Sequence, residues 1–138
     1  MTSRIHPSIP NAVIVTDDEG NEVTLVNCTP HPVSWAEGDE IRLTIPAPPN
    51  GADGAARIAQ IPGTLGSLCG MPLMGANVYG GFINLPPETP GTLHVVSIMF
   101  SGRAGARQDL IIPGTGPQDN ALRNAQGHPV ACRRWVRA

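Results

Sequence analysis

Apolar residues in this chain fall in short runs that alternate with polar positions or stop at a glycine or proline. That pattern predicts strands rather than long helices. Ala12–Thr16 and Glu22–Val26 flank D-D-E-G-N, where Gly20-Asn21 supplies turn chemistry, so the two segments predict a hairpin. Ile41–Ile45 follows the turn Glu37-Gly38-Asp39 and alternates cleanly, with Arg42 and Thr44 facing away from Ile41, Leu43 and Ile45. Ala55–Ile61 predicts a strand carrying Arg57, and Pro129–Val136 a last strand. Thr92–Val96 and Asp109–Ile112 are the most apolar pair, the second halted by Pro113-Gly114. Between them Ser97 stands at an N-cap position before Ile98, Met99 and Phe100, which predicts a short helix with Arg103 and Arg107 on one face. Gly102 and Gly105 weaken that helix by about 1 kcal/mol each.

The segments that break the pattern set the organisation. Residues 1–11 hold two prolines and no period, and read as an extended N-terminal arm that lies loose or on a partner subunit. Pro46–Gly54 is a loop, being too rich in proline and glycine to pack. From Pro62 to Pro90, glycines at 63, 66, 70, 75, 80 and 81 leave only short apolar pieces at Leu65–Cys69, Met71–Met74 and Val78–Leu85. Gly80-Gly81 offers a hairpin turn there, with Tyr79 and Phe82 beside it as a stacking surface. Residues 12–138 thus predict a single β-rich α+β domain, a compact sheet or small barrel of short strands with one short helix. Sixteen glycines and fifteen prolines in 138 residues reinforce that expectation.

Composition then narrows the function classes. With 41 % hydrophobic and 14 % charged residues, the chain is globular. All nine basic residues are arginine, so an amine nucleophile or Schiff-base lysine is excluded. Residues 1–69 carry three arginines against eight carboxylates (net −5), and 70–138 carry six against three (net +3). The basic half suits an anionic ligand, whereas the overall charge of −2 and the lack of a basic-aromatic stripe argue against nucleic acid. Cys28, Cys69 and Cys132 form no short-spaced pair, so neither a zinc site nor a disulfide framework is expected. Asp17, Asp18 and Glu19 lack the ligand spacing of a calcium loop; no metal and no cofactor are expected. No stretch has the pattern of a signal peptide or a membrane span, so the expectation is a soluble protein, cytoplasmic and not bound to a membrane.

Two motifs carry candidate ligand chemistry. In Asn27-Cys28-Thr29-Pro30-His31-Pro32-Val33, two prolines stiffen the backbone around His31. Asn27, Thr29 and His31 then either meet one ligand or close their own turn. In Arg107-Gln108-Asp109 followed by Pro113-Gly114-Thr115-Gly116-Pro117, backbone N–H groups of the turn can point at an anion, and arginine offers a planar fork for phosphate. The alternative is a local Arg107–Asp109 ion pair beside a plain surface turn. Arg57 and Arg103 complete the ligand-binding candidates, with Asp109, Gly114, Thr115 and Gly116. Arg133 and Arg134 face opposite ways along an extended strand, so at most one joins a given site. His31 or His94 near Asp109 has the residue types of an acid–base pair.

The order and spacing of these pieces resemble a family of small phage and prophage proteins with an N-L-T-P-H-like motif and an R-x-D-x-x-x-P-like motif. The likeness runs through Ala56-Arg57-Ile58 and Gly91-Thr92-Leu93 and spans roughly residues 24–137. Cys28 stands where the family's motif has leucine, and the 62–90 segment looks enlarged. The resemblance implies a phage setting, in the cytoplasm of an infected bacterial host. It is compatible with an oligomeric sponge, a homo-oligomer that sequesters a nucleotide-derived immune signal such as a cyclic ADP-ribose derivative or a cyclic nucleotide. Arg107 and Gly114–Gly116 would then meet phosphate, and Asn27, Thr29 and His31 ribose or base. A small hydrolase of such nucleotides and a virion or assembly component are the competing expectations.

Overall fold

A computed structural model describes residues 1–138. Its strands are β1 (Thr2–Ile5), β2 (Ala12–Thr16), β3 (Glu22–Asn27), β4 (Val33–Glu37), β5 (Glu40–Ile45), β6 (Arg57–Ile61) and β7 (Leu65–Leu68), then β8 (Met71–Met74), β9 (Val78–Ile83), β10 (Thr92–Val95), β11 (Leu110–Pro113), β12 (Leu122–Arg123), β13 (Pro129–Ala131) and β14 (Trp135–Arg137). Six of them form an open sheet in the order β1-β2-β3-β10-β11-β14, and the rest pair as the ribbons β4-β5, β6-β9, β7-β8 and β12-β13. The sheet is mixed. β1, β2 and β3 are antiparallel neighbours, β10 runs parallel to both β3 and β11, and β14 returns antiparallel along β11.

Parallel strands in the middle of a sheet need cover on both faces, which is why their sequences read as unbroken apolar runs. Alternate residues accordingly supply two cores. Ala12, Val26, Leu110 and Ile112 pack with Ile58 and Phe100 on one face. Val13, Leu25, Val95 and Ile111 pack with Leu43 and Ile45 on the other, under the β4-β5 ribbon and Trp35.

The β-rich class is therefore present, as an open sheet rather than a closed barrel. The helix expected after Ser97 is reduced to a 3-10 turn at Ile98–Phe100, and a second such turn covers Gly51–Asp53; there is no α-helix. Gly102 and Gly105 adopt φ of 73° and 61°, a conformation outside any right-handed helix, so the chain turns twice where the helix was expected to run. Thr2–Ile5 of the N-terminal arm form the edge strand β1, hydrogen-bonded to their own sheet. The last strand splits at Cys132-Arg133-Arg134 into β13 and β14. The turn in the 62–90 region lies at Cys69-Gly70, both with positive φ, while Gly80 and Gly81 sit inside β9. No helix is long and apolar enough to cross a membrane.

Candidate functional site

The three central parallel strands deliver their carboxyl ends to one side of the sheet, the usual place for ligands in open sheets with parallel strands. β3 ends there in the 27–33 motif, β10 in the 3-10 turn, and β11 in Pro113–Pro117. The largest cavity, about 500 Å³, opens between the last two. Its wall includes Ile98 and Ser101 after β10, Thr115 and Gly116 after β11, and Arg134, Trp135 and Arg137 from β14 and the residue before it.

The glycine turn is built by close approach. A Cβ on Gly114 would lie 2.8 Å from the Arg134 carbonyl, and the Gly114 N–H donates to that same carbonyl at 2.9 Å. Only glycine lets β14 come so near. The Gly116 N–H donates to Asp119 Oδ2 at 3.0 Å, and Arg134 donates through Nε and Nη2 to Asp119 Oδ1 at 2.8 and 2.6 Å. The turn thus already holds an anion, the chain's own buried Asp119, whose carboxyl the Arg134 bonds draw below its usual range despite the opposing effect of burial. Arg123 fixes the turn from behind by donating to the Thr115 carbonyl at 2.8 Å. Arg134 remains largely exposed, and Arg137 donates from Nη1 to the Gln108 carbonyl, leaving the rest of its guanidinium for solvent or a ligand. Arg134, Trp135 and Arg137 line one side of the cavity, while the Trp135 side chain also packs against the core face of Leu25 and Ile111.

The 27–33 motif comes to the same end of the sheet, where Pro32–Ser34 and Thr115 share a smaller cleft of about 180 Å³. Its polar groups close their own turn. Asn27, fully buried, donates from Nδ2 to the carbonyls of His31 (2.8 Å) and Ile45 (3.1 Å) and accepts the Thr29 N–H at 2.9 Å. The Thr29 hydroxyl lies 2.7 Å from Asn27 Oδ1 and 2.9 Å from the His31 carbonyl, with one proton to share between them. The His31 imidazole is exposed.

Arg107 and Asp109 stand elsewhere. They precede β11, whereas the glycine turn follows it, and the five steps of extended chain from Asp109 to Gly114 span roughly 16 Å. Arg107 forms a bidentate pair with Asp109, Nε to Oδ1 and Nη2 to Oδ2, both 2.7 Å, and also donates to the Pro86 carbonyl at 2.8 Å. From β10, His94 Nδ1 lies 2.5 Å from Asp109 Oδ2 and donates to it. His94 and Asp109 side chains are only 3 % and 4 % exposed, so this pair has almost no face left for a substrate. Burial pushes the Asp109 carboxyl up, but the Arg107 and His94 hydrogen bonds outweigh it and bring it down to about 2.

The remaining candidates are dispersed. Arg57 is exposed on β6, and Arg103 lies 4.0 Å over the Tyr79 ring as a cation–π contact. Of the ten residues expected to bind ligand, Thr115 and Gly116 line the large cavity and Gly114 shapes it. Arg134, Arg137 and Trp135 were not among them. Their signal was the basic bias of the second half together with the alternation that sends Arg133 away, to Asp39 and the carbonyls of Gly38 and Asn120. A second cleft of about 310 Å³ between Trp35 and Trp135 is lined wholly by apolar residues and offers no polar group to orient a ligand. No family model matches the chain, and neither a curated protein nor a solved structure matches it.

Proposed function

We propose that this protein binds a phosphate-bearing, nucleotide-like small molecule in the 500 Å³ cavity and holds it without chemical turnover. The observation that carries the reading is the exposed Arg134 guanidinium beside the Thr115-Gly116 backbone, with Arg137 also on the cavity wall, at the carboxyl ends of the central strands. Guanidinium groups match phosphate oxygens, and the apolar side chains of Ile98 and Ile112 on the same wall can take a base or ribose. The volume suits such a ligand, since small-molecule sites span about 300–1,000 Å³. In the phage setting that the sequence resemblance implies, the ligand is an immune signal such as a cyclic ADP-ribose derivative or a cyclic dinucleotide, and sequestering it inhibits the host's antiphage defence.

Holding rather than hydrolysing is favoured because the one His–carboxylate pair, His94–Asp109, is buried and closed by Arg107. The test is to incubate the protein with these nucleotides, denature it and identify what is released. Intact nucleotide is expected; a cleaved product would overturn the reading in favour of a hydrolase. A virion or assembly component is the second reading, favoured by the exposed apolar ribbon at 61–78. Stoichiometric detection of the protein in purified virions would establish it.

A further inference from the structure

From Ile58 to Pro87 the chain holds no charged residue, and it forms the β6-β9 ribbon continued by the β7-β8 hairpin. The base of this arm is anchored. Ile58 is in the core, Phe82 stacks on the buried Phe100 at 5.5 Å, and Tyr79 lies under Arg103. Beyond that base the arm leaves the body, with every residue of β7 and β8 exposed. A waist of two glycines connects the two parts: the Gly75 N–H donates to the Thr64 carbonyl at 2.8 Å, and a Cβ on Gly63 would meet the Gly75 carbonyl oxygen at 2.2 Å.

We propose that this arm is a self-association surface, buried against the same arm of a second copy of the chain. Ile61, Leu65, Leu68, Met71, Met74 and Val78 are each 54–71 % exposed. At roughly 150 Å², the lower end of the range for large side chains, these six present about 500 Å² over the two faces of the hairpin, Leu65 and Met74 on one and Leu68 and Met71 on the other, a large part of the ~800 Å² per partner of a stable interface. A two-stranded ribbon is marginally stable in water by itself, so the tip needs something packed on it.

Three features select a second copy as the occupant. Neither β6 nor β9 pairs beyond the other, nor β7 and β8 beyond each other, and apart from Pro72 the tip carries none of the charges or prolines that blunt an open edge. Those unpaired edge groups find partners on an identical edge, whereas a lipid bilayer leaves them unsatisfied. A surface without charge also offers no handle for choosing an unlike partner, and homodimer interfaces are more apolar than those of non-obligate complexes. This inference stands apart from the cavity and its ligand.

Sedimentation of the full chain tests it, beside the paired variant Leu65→Glu/Met74→Glu, whose positions face each other across β7 and β8. The wild type is expected at twice the chain mass or more, and the variant at the chain mass, its association weakened about a hundredfold or beyond. An uncharged variant, Leu68→Ser/Met71→Ser, should also dissociate, and it decides the matter if the glutamates prevent folding. Wild type at the mass of one chain would overturn the proposal, as would association that survives in the folded variants. Monomeric wild type that floats with phosphatidylglycerol vesicles would overturn it in favour of a lipid surface.

Discussion

The Arg107 guanidinium locks a buried carboxylate that ties β11 to β10 through His94, and its worth is in stability. Removing it strands Asp109 in a site 4 % exposed, so Arg107→Ala should cost about 2–3 kcal/mol in urea unfolding at neutral pH while leaving ligand affinity unchanged. The same carboxylate sets an acid limit. Its folded-state value near 2 lies below the ordinary value of about 3.9, so its contribution is complete above pH ~4 and disappears as pH falls towards 2. The shift corresponds to about 2–3 kcal/mol, and the slope of stability against pH between 4 and 2 should flatten in the variant. A two-residue spacing made the Arg107–Asp109 pair legible in the sequence. The sequence left His31 and His94 as alternatives beside Asp109, because the choice depends on β10 lying parallel to β11, a register that no local pattern encodes.

At the scale of elements, the cavity depends on how closely β14 approaches the turn after β11. Gly114→Ala places a methyl 2.8 Å from the Arg134 carbonyl, so β14 must shift. An overpacking cost of about 1–3 kcal/mol is expected, together with weaker binding of whichever nucleotide the wild type holds, measurable by calorimetry. The β2-β3 hairpin, β5, β10 and β11 were readable because each alternates or runs apolar between turn residues. β4 was missed because Val33-Ser34-Trp35-Ala36-Glu37 is mixed in character and gains its place from pairing with β5 and from the Trp35–Cys132 bridge. The apolar pieces of the arm were seen, but not its turn, since cysteine is an unusual first residue for the positive φ that Cys69 adopts. The helix failed for the opposite reason: the capping residue and early apolar run were present, and two glycines outweighed them.

At the scale of the molecule, one open sheet separates three jobs. The amino end of β11 holds the stabilising ion pair, the carboxyl ends of β10 and β11 hold the cavity, and the β7-β8 hairpin extends from the anchored β6-β9 base. The motifs legible in the sequence fall on two of these places, because β11 itself puts Arg107 and the glycine turn at different ends of one strand. The central claim is that ligand phosphate meets Arg137 and Arg134 rather than Arg107. Its most direct test is thermal unfolding of wild type, Arg137→Ala and Arg107→Ala with a panel of cyclic dinucleotides and ADP-ribose isomers, where a ligand at 100 times its Kd adds about 2.7 kcal/mol. At least one nucleotide should raise the Tm of wild type and Arg107→Ala alike and raise that of Arg137→Ala much less. No shift with any nucleotide, or a shift lost in Arg107→Ala and retained in Arg137→Ala, would contradict it.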